Sequence, residues 1–246
     1  MLKSRLGRSF ASAAAAGAVL AASAIAGPAA VTATVSPVAC QDNYPNPIAT
    51  STNLTLRDSI VEFGTRQRAF AKVTSTAGRP TGSVRFSVAG KSWLVKIDNN
   101  GEASKTLPAG LSANETYTVT ARFVPDCVTA QVGGSGDTQR LTVFKANTRI
   151  SSVLAPSIKR GKKATVRAVV GTKTRSPKGE AKIVIWKGNK KMSKVVDLRS
   201  IGAGDSVVKA NFGKVRKVGT WNVKIKFLGS DNFKKAVKFS SFRVKR

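Results

Sequence analysis

The chain contains no histidine, and its 246 residues include only 12 Asp and Glu, two cysteines and two methionines. Without histidine the commonest general base and the commonest metal ligand are both gone. Ser–His and Cys–His nucleophile pairs go with them. No cluster of cysteines and carboxylates offers metal-ligand spacing, and no phosphate-cradling glycine loop is present. A Ser–Lys pair is compatible with so many lysines, but no local motif marks one. Asp126 and Asp137 are too few for a calcium site. The residues therefore argue against an enzyme, and no catalytic, cofactor or metal site is expected.

Long apolar runs are also scarce. The single one, Phe10 to Ala26, is mostly alanine and follows Lys3, Arg5 and Arg8. This is the layout of a secretory signal peptide over residues 1–26, with Ala24 and Ala26 forming an Ala-x-Ala cleavage site. Val31 and Ala33 form a second site. A retained anchor is the alternative, but the run falls short of the roughly 20 residues a span needs. Residues 27–37 read as a flexible N-terminal segment. The mature protein is expected to be secreted, without a membrane span, and either released or held at the cell wall. The two cysteines, Cys40 and Cys127, agree with export, because an isolated pair in an oxidising compartment usually bonds. A metal site or a redox pair is the weaker reading of them.

What is present in quantity is positive charge on a chain that can still build cores. Apolar residues make up 41% and the net charge is +30. Short alternating runs are separated by Gly, Pro, Asn and Asp clusters, with no long helical period, so the coarse structure is all strand. The runs repeat. "TNLTLRDSIVEFG" is answered by "TRISSVLAPSIKRG", "RPTGSVRFSVAG" by "SPKGEAKIVIWKG", and "YTVTARFVPD" by "WNVKIKFLGSD". Gly64 and Gly161 are 97 positions apart, as are Pro80 and Pro177, whereas Tyr117 and Trp221 are 104 apart. About seven extra residues therefore lie between the middle strands of the second copy, in "KGNKKMSK" and "RSIGAGD", where loops absorb insertions. The spacing predicts two domains, 38–145 and 146–246, joined by a short linker at Lys145–Thr148. In the second, strands are predicted over 148–154, 163–170, 179–187, 193–199, 205–212, 220–228 and 237–245.

Seven short strands in about 100 residues is the pattern of an immunoglobulin-like β-sandwich. The order Pro80, Gly82, Val84, Phe86, then Leu107 to Gly110, then Tyr117, Val119, Ala121 and Phe123 resembles the bacterial Ig-like repeats of secreted and surface proteins. The second copy keeps Pro177, Gly179, Trp221, Val223, Phe227 and "GSDNF", Gly229 to Phe233. The resemblance implies an all-β chain of two tandem Ig-like sandwiches and is nearly silent on function. Its members include adhesins, wall-associated spacers and accessory modules of enzymes. It also places Cys40, before the first strand, and Cys127, in the turn after the sixth, at one pole, where a disulfide would pin the N-terminal segment. Tyr117 stands where a tyrosine corner would be. Trp221 replaces it in the second copy without a hydroxyl to bond back, and both are read as core residues. "GGSGD", Gly133 to Asp137, reads as a plain hairpin loop.

The charge is unevenly shared. Residues 27–145 carry twelve Lys and Arg against eight Asp and Glu, whereas residues 146–246 carry 27 against four. Two copies of one fold with such different charge show that the fold does not demand the lysines. Solubility and edge protection account for some of them, but mixed charge would serve as well without self-repulsion. Aligned on Val84, Phe86 and Val88, the second copy should bury Ala181, Ile183 and Ile185. Lys182, Val184 and Trp186 would then face out. A one-residue register shift, or packing against the first domain, would instead bury Trp186. With Lys224, Lys226, Arg243 and Lys245 on neighbouring strands, this makes a cationic face around an aromatic plate. Loops add Lys159, Arg160, Lys162 and Lys163, then Lys190 and Lys191. Such a surface suits an anionic cell-wall polymer or acidic glycan, and nucleic acid only without sequence preference. Adhesion to host polyanions and a ligand-free spacer role are the alternatives.

Overall fold

A computed structural model describes residues 48–76, 78–126 and 132–246. The expected signal peptide, the 27–37 segment, both cysteines and their expected bond lie outside the described residues. Every regular element among those described is a strand, and no helix long and apolar enough to cross a membrane is found among them.

Eight strands come from the first repeat: β1 (Thr50–Leu56), β2 (Ile60–Glu62), β3 (Arg68–Ser75), β4 (Gly82–Val88), β5 (Lys91–Lys96), β6 (Glu102–Thr106), β7 (Glu115–Pro125) and β8 (Gly136–Phe144). They form the sheets β1-β3-β6 and β2-β8-β7-β4-β5. The second repeat supplies β9 (Arg149–Leu154), β10 (Ile158–Lys159), β11 (Lys163–Gly171), β12 (Glu180–Lys187), β13 (Lys190–Asp197), β14 (Arg199–Gly202), β15 (Asp205–Lys214), β16 (Gly219–Phe227) and β17 (Ala236–Lys245). Its sheets run β14-β15-β11-β9 and β10-β17-β16-β12-β13. The chain is thus two tandem Ig-like sandwiches.

Alternation decides which side of each strand is dry. Val84, Phe86 and Val88 are buried in the first sandwich, and Ala181, Ile183 and Ile185 in the second, so the predicted register holds and Trp186 stays on the outer side of its sheet. Facing them across the second core are Val166, Ala168, Val208, Ala210 and Phe212. Burying each large side chain stabilises by about 1.5–3 kcal/mol.

Five sequence readings need correction. The extra residues of the second repeat do not form a loop: they lengthen β13 and make β14. The predicted strand 193–199 is accordingly two strands, in opposite sheets, because the chain crosses at Leu198, whose N–H bonds the Gly179 carbonyl. Lys190 and Lys191 open β13 rather than sit in a loop. "GGSGD" is more than a hairpin turn. The Thr50 hydroxyl donates to the Gly133 carbonyl (2.7 Å), and the Asp137 carboxylate accepts from the Leu54 N–H (2.8 Å), so this segment closes the gap between the sheets at β1. Finally, Trp221 does bond back: its indole Nε1–H donates to the Lys217 carbonyl at 2.9 Å, as the Tyr117 hydroxyl donates to the Ser112 carbonyl at 3.2 Å. An indole N–H can replace a phenol because both carry one donor at the rim of a flat apolar body.

The sandwiches meet through side chains. Ala146 bridges to Phe233, whose ring meets Phe63 edge to face with centroids 5.3 Å apart. The Thr174 hydroxyl donates to the Phe63 carbonyl (2.7 Å), the Arg175 guanidinium lies 5.9 Å from the Phe63 ring, and the Ala113 N–H donates to Asn232 Oδ1 (2.9 Å). This is the near pole of the second sandwich. At its far pole, the β10–β11 turn, the β12–β13 turn, the β15–β16 loop and the end of β17 come together, as the pairings of Lys163 with Lys214, Gly219 with Val244 and Lys159 with Lys245 require.

Candidate functional site

The outer face of the sheet β10-β17-β16-β12-β13 can be read as rows across its strands. One row runs Val195, Lys182, Lys226, Val237. The next runs Ser193, Val184, Lys224, Phe239, and a third runs Lys191, Trp186, Asn222, Ser241. Four lysines therefore stand among exposed or half-buried apolar groups. Phe239 is 62% exposed, Val195 52% and Val237 48%. Lys224 Nζ lies 5.3 Å from the Phe239 ring centroid, within cation–π reach. A shallow cleft of about 530 Å³ is lined by Lys182, Val184, Trp186, Lys224, Lys226 and Phe239.

Lys182, Trp186, Lys224 and Lys226 are thus brought together as the sequence suggested. Trp186 is half-buried at the cleft rather than fully displayed. Lys191 joins them directly across from Trp186. Arg243 stands one row further on, opposite Thr220. Lys245 pairs with Lys159 at the far pole, where Lys159 closes β10 and Lys163 opens β11 rather than sitting in a loop, and of these cations only Arg160 and Lys162 lie in the turn between the two strands. Lys190 lies opposite Lys187 at the same pole. The cations expected in one field thus divide between a sheet face and a pole. Phe239 was not among the residues the sequence singled out. Its signal was present in "AVKFSSFRVKR", where burying Phe242 and Val244 forces Phe239 to the opposite side.

Chemically the face is a cation field with two ring platforms. Lys182 and Lys226 are direct cross-strand partners, and like charges in that position are destabilising. Among the described residues of the second sandwich no ion pair relieves them. Lys72 and Glu102, which pair at 3.0 Å, belong to the first sandwich. No group of three or more Cys, Asp or Glu that could hold a metal occurs among the described residues. Remote from the face, partial burial and then Glu115 hold the Tyr117 phenol above its ordinary value.

No protein-family model matches the chain, and no curated protein matches it in sequence. Solved structures resemble it weakly. A tetra-tandem repeat from the extending region of a large adhesion protein has a TM-score of 0.41 at 11% identity, over 80% of this chain and 49% of that one. The titin domains Z1Z2 in complex with telethonin give 0.39 at 16% identity, over 79% and 96%. Red sea bream transglutaminase gives 0.34 at 14% identity, and the chain spans 31% of its length. The sandwich assignment rests on the sheets themselves.

Proposed function

We propose that this is a secreted, non-enzymatic protein of the bacterial Ig-like kind. Its domains are 38–145 and 146–246, and the second holds anionic cell-envelope polymers or acidic glycans. The observation that carries this reading is the cleft in which Lys182, Lys224 and Lys226 surround Trp186 and Phe239 on the outer sheet face. Sugar rings would stack on the aromatic plates while carboxylates or sulfates meet the ammonium groups. Lysine suits this task because it is a point charge without directional demands. Retention by several such contacts should weaken steeply with salt.

The test is fractionation of a culture that exports the protein, with a graded salt wash of the cells. Retention at low salt and release at high salt support electrostatic holding. Protein free in the medium at low salt contradicts envelope retention and favours a host polyanion or a spacer role.

A further inference from the structure

We propose that the far pole of the second sandwich is a separate binding surface for a base-free phosphate polymer, distinct from the aromatic face. The inference rests on the reading that this domain holds polyanions and adds a second site with a different ligand chemistry.

The charge of this sandwich is segregated along its strands. Its four carboxylate side chains all belong to the near pole. Glu180 opens β12, opposite Asp197 at the end of β13; Asp205 opens β15, opposite Gly171; and Asp231 lies in the β16–β17 loop beside Asn232. The far pole has no Asp or Glu and exposes Arg160, Lys162, Lys190, Arg216, Lys217 and Lys245. Three like-charged ladder pairs gather there: Lys163 with Lys214, Lys187 with Lys190, and Lys159 with Lys245. Each such pair opposes folding, and no ion pair among the described residues relieves them.

The repeat supplies a second, independent observation. The far pole of the first sandwich occupies the same place in the fold and is the seat for its neighbour. There Glu62 bonds Asn147, the Phe63 ring meets Phe233, and the Ala113 N–H bonds Asn232. By the 97-residue offset, Glu62 and Phe63 correspond to Lys159 and Arg160; by the 104-residue offset, Ser112 and Ala113 correspond to Arg216 and Lys217. Gly64 packs against Thr174 and Arg175, but a side chain at Gly161 would meet open space. The pole that forms an apolar and acidic seat in the first copy is cationic in the second.

Its chemistry selects the ligand. Val218, at 36%, is the one large apolar residue exposed in its loops. Trp186, whose cleft reaches Gly188 and Asn189 of the β12–β13 turn, is half-buried and lies on the outer sheet face, so the pole itself offers bases no free ring and a bilayer no wedge. Lysine and arginine in exposed turns match closely spaced phosphates, which they meet without sequence preference.

The experiment titrates the full mature chain with inorganic polyphosphate and, separately, with a sulfated glycan, at low and physiological salt. A pole variant (Arg160→Glu, Lys162→Glu, Lys190→Glu, Arg216→Glu) and a face variant (Lys182→Glu, Lys224→Glu, Lys226→Glu) are compared with wild type, and glutamine versions guard against misfolding. The pole variant should lose about tenfold or more in polyphosphate affinity, with a shallower salt slope, and keep glycan affinity within about threefold. The face variant should do the reverse. A pole variant that binds polyphosphate like wild type overturns the inference and leaves the glycan reading standing. So does wild type binding only anionic lipid vesicles or single-stranded DNA through this pole. Wild type that binds neither probe overturns both.

Discussion

Phe63 of the first sandwich and Phe233 of the second meet edge to face, 5.3 Å between centroids and 84° between planes, and both are more than nine-tenths buried. The contact fastens two repeats that the sequence joins by only a few residues. Phe233→Ala should cost about 3–5 kcal/mol, the range for removing a buried phenylalanine. Calorimetry should show one transition for the wild type and two for the variant. One unchanged transition would mean the sandwiches are coupled by other means.

Gly64 and Gly161 stand at the same repeat position with φ of +87° and +81°. Alanine at either position meets the left-handed backbone penalty of about 1–2 kcal/mol. Only at Gly64 does it also strike the neighbouring sandwich, at Arg175 and Thr174. Gly64→Ala should therefore be the more destabilising of the two in denaturant titrations, and the difference between them measures the junction. Equal losses would contradict the packing described.

Lys226→Glu should raise stability by up to about 1 kcal/mol, because it turns a like-charged cross-strand pair with Lys182 into an attractive one. The same change should weaken glycan binding. Opposite signs for stability and binding distinguish a functional lysine from one kept for folding. Thermal melts and binding isotherms on one preparation decide the matter, and a loss in both would point to misfolding.

The pH dependence should be equally telling. With no histidine in the chain, binding of a fully sulfated glycan should be flat between pH 5 and 8. On the alkaline side, the Tyr117 phenol is held above its ordinary value by partial burial and then by Glu115. A folded-state pKa that is raised stabilises the fold at lower pH, and that stability is lost as pH rises through it. Tyr117→Phe should therefore remove one component of alkaline destabilisation, visible as a flatter stability profile above pH 10.

The register of the second sandwich could be read from the sequence because alternation is local. Once Ala181, Ile183 and Ile185 are assigned inward, Lys182 and Trp186 must face outward. The split between β13 and β14 was hidden because a crossing between sheets at Leu198 leaves the alternation nearly intact. Strands β2 and β10, of three and two residues, are too short to alternate at all. The segregation of carboxylates to one pole was invisible for another reason: Glu180, Asp197, Asp205 and Asp231 are scattered in sequence, and only antiparallel folding gathers them. The junction combined both limits. "GSDNF" marked a turn, but that Phe233 would serve the neighbouring sandwich depends on contacts across more than 160 residues.

The most direct measurement is the affinity of the mature chain for a sulfated glycan at about 50 and 200 mM salt, for wild type and for the Lys182→Glu, Lys224→Glu, Lys226→Glu variant. The account predicts a steep loss with salt for wild type, and for the variant an affinity at least about tenfold weaker with a shallower slope. Wild-type affinity that does not change with salt, or a variant that binds as tightly as wild type, would contradict it.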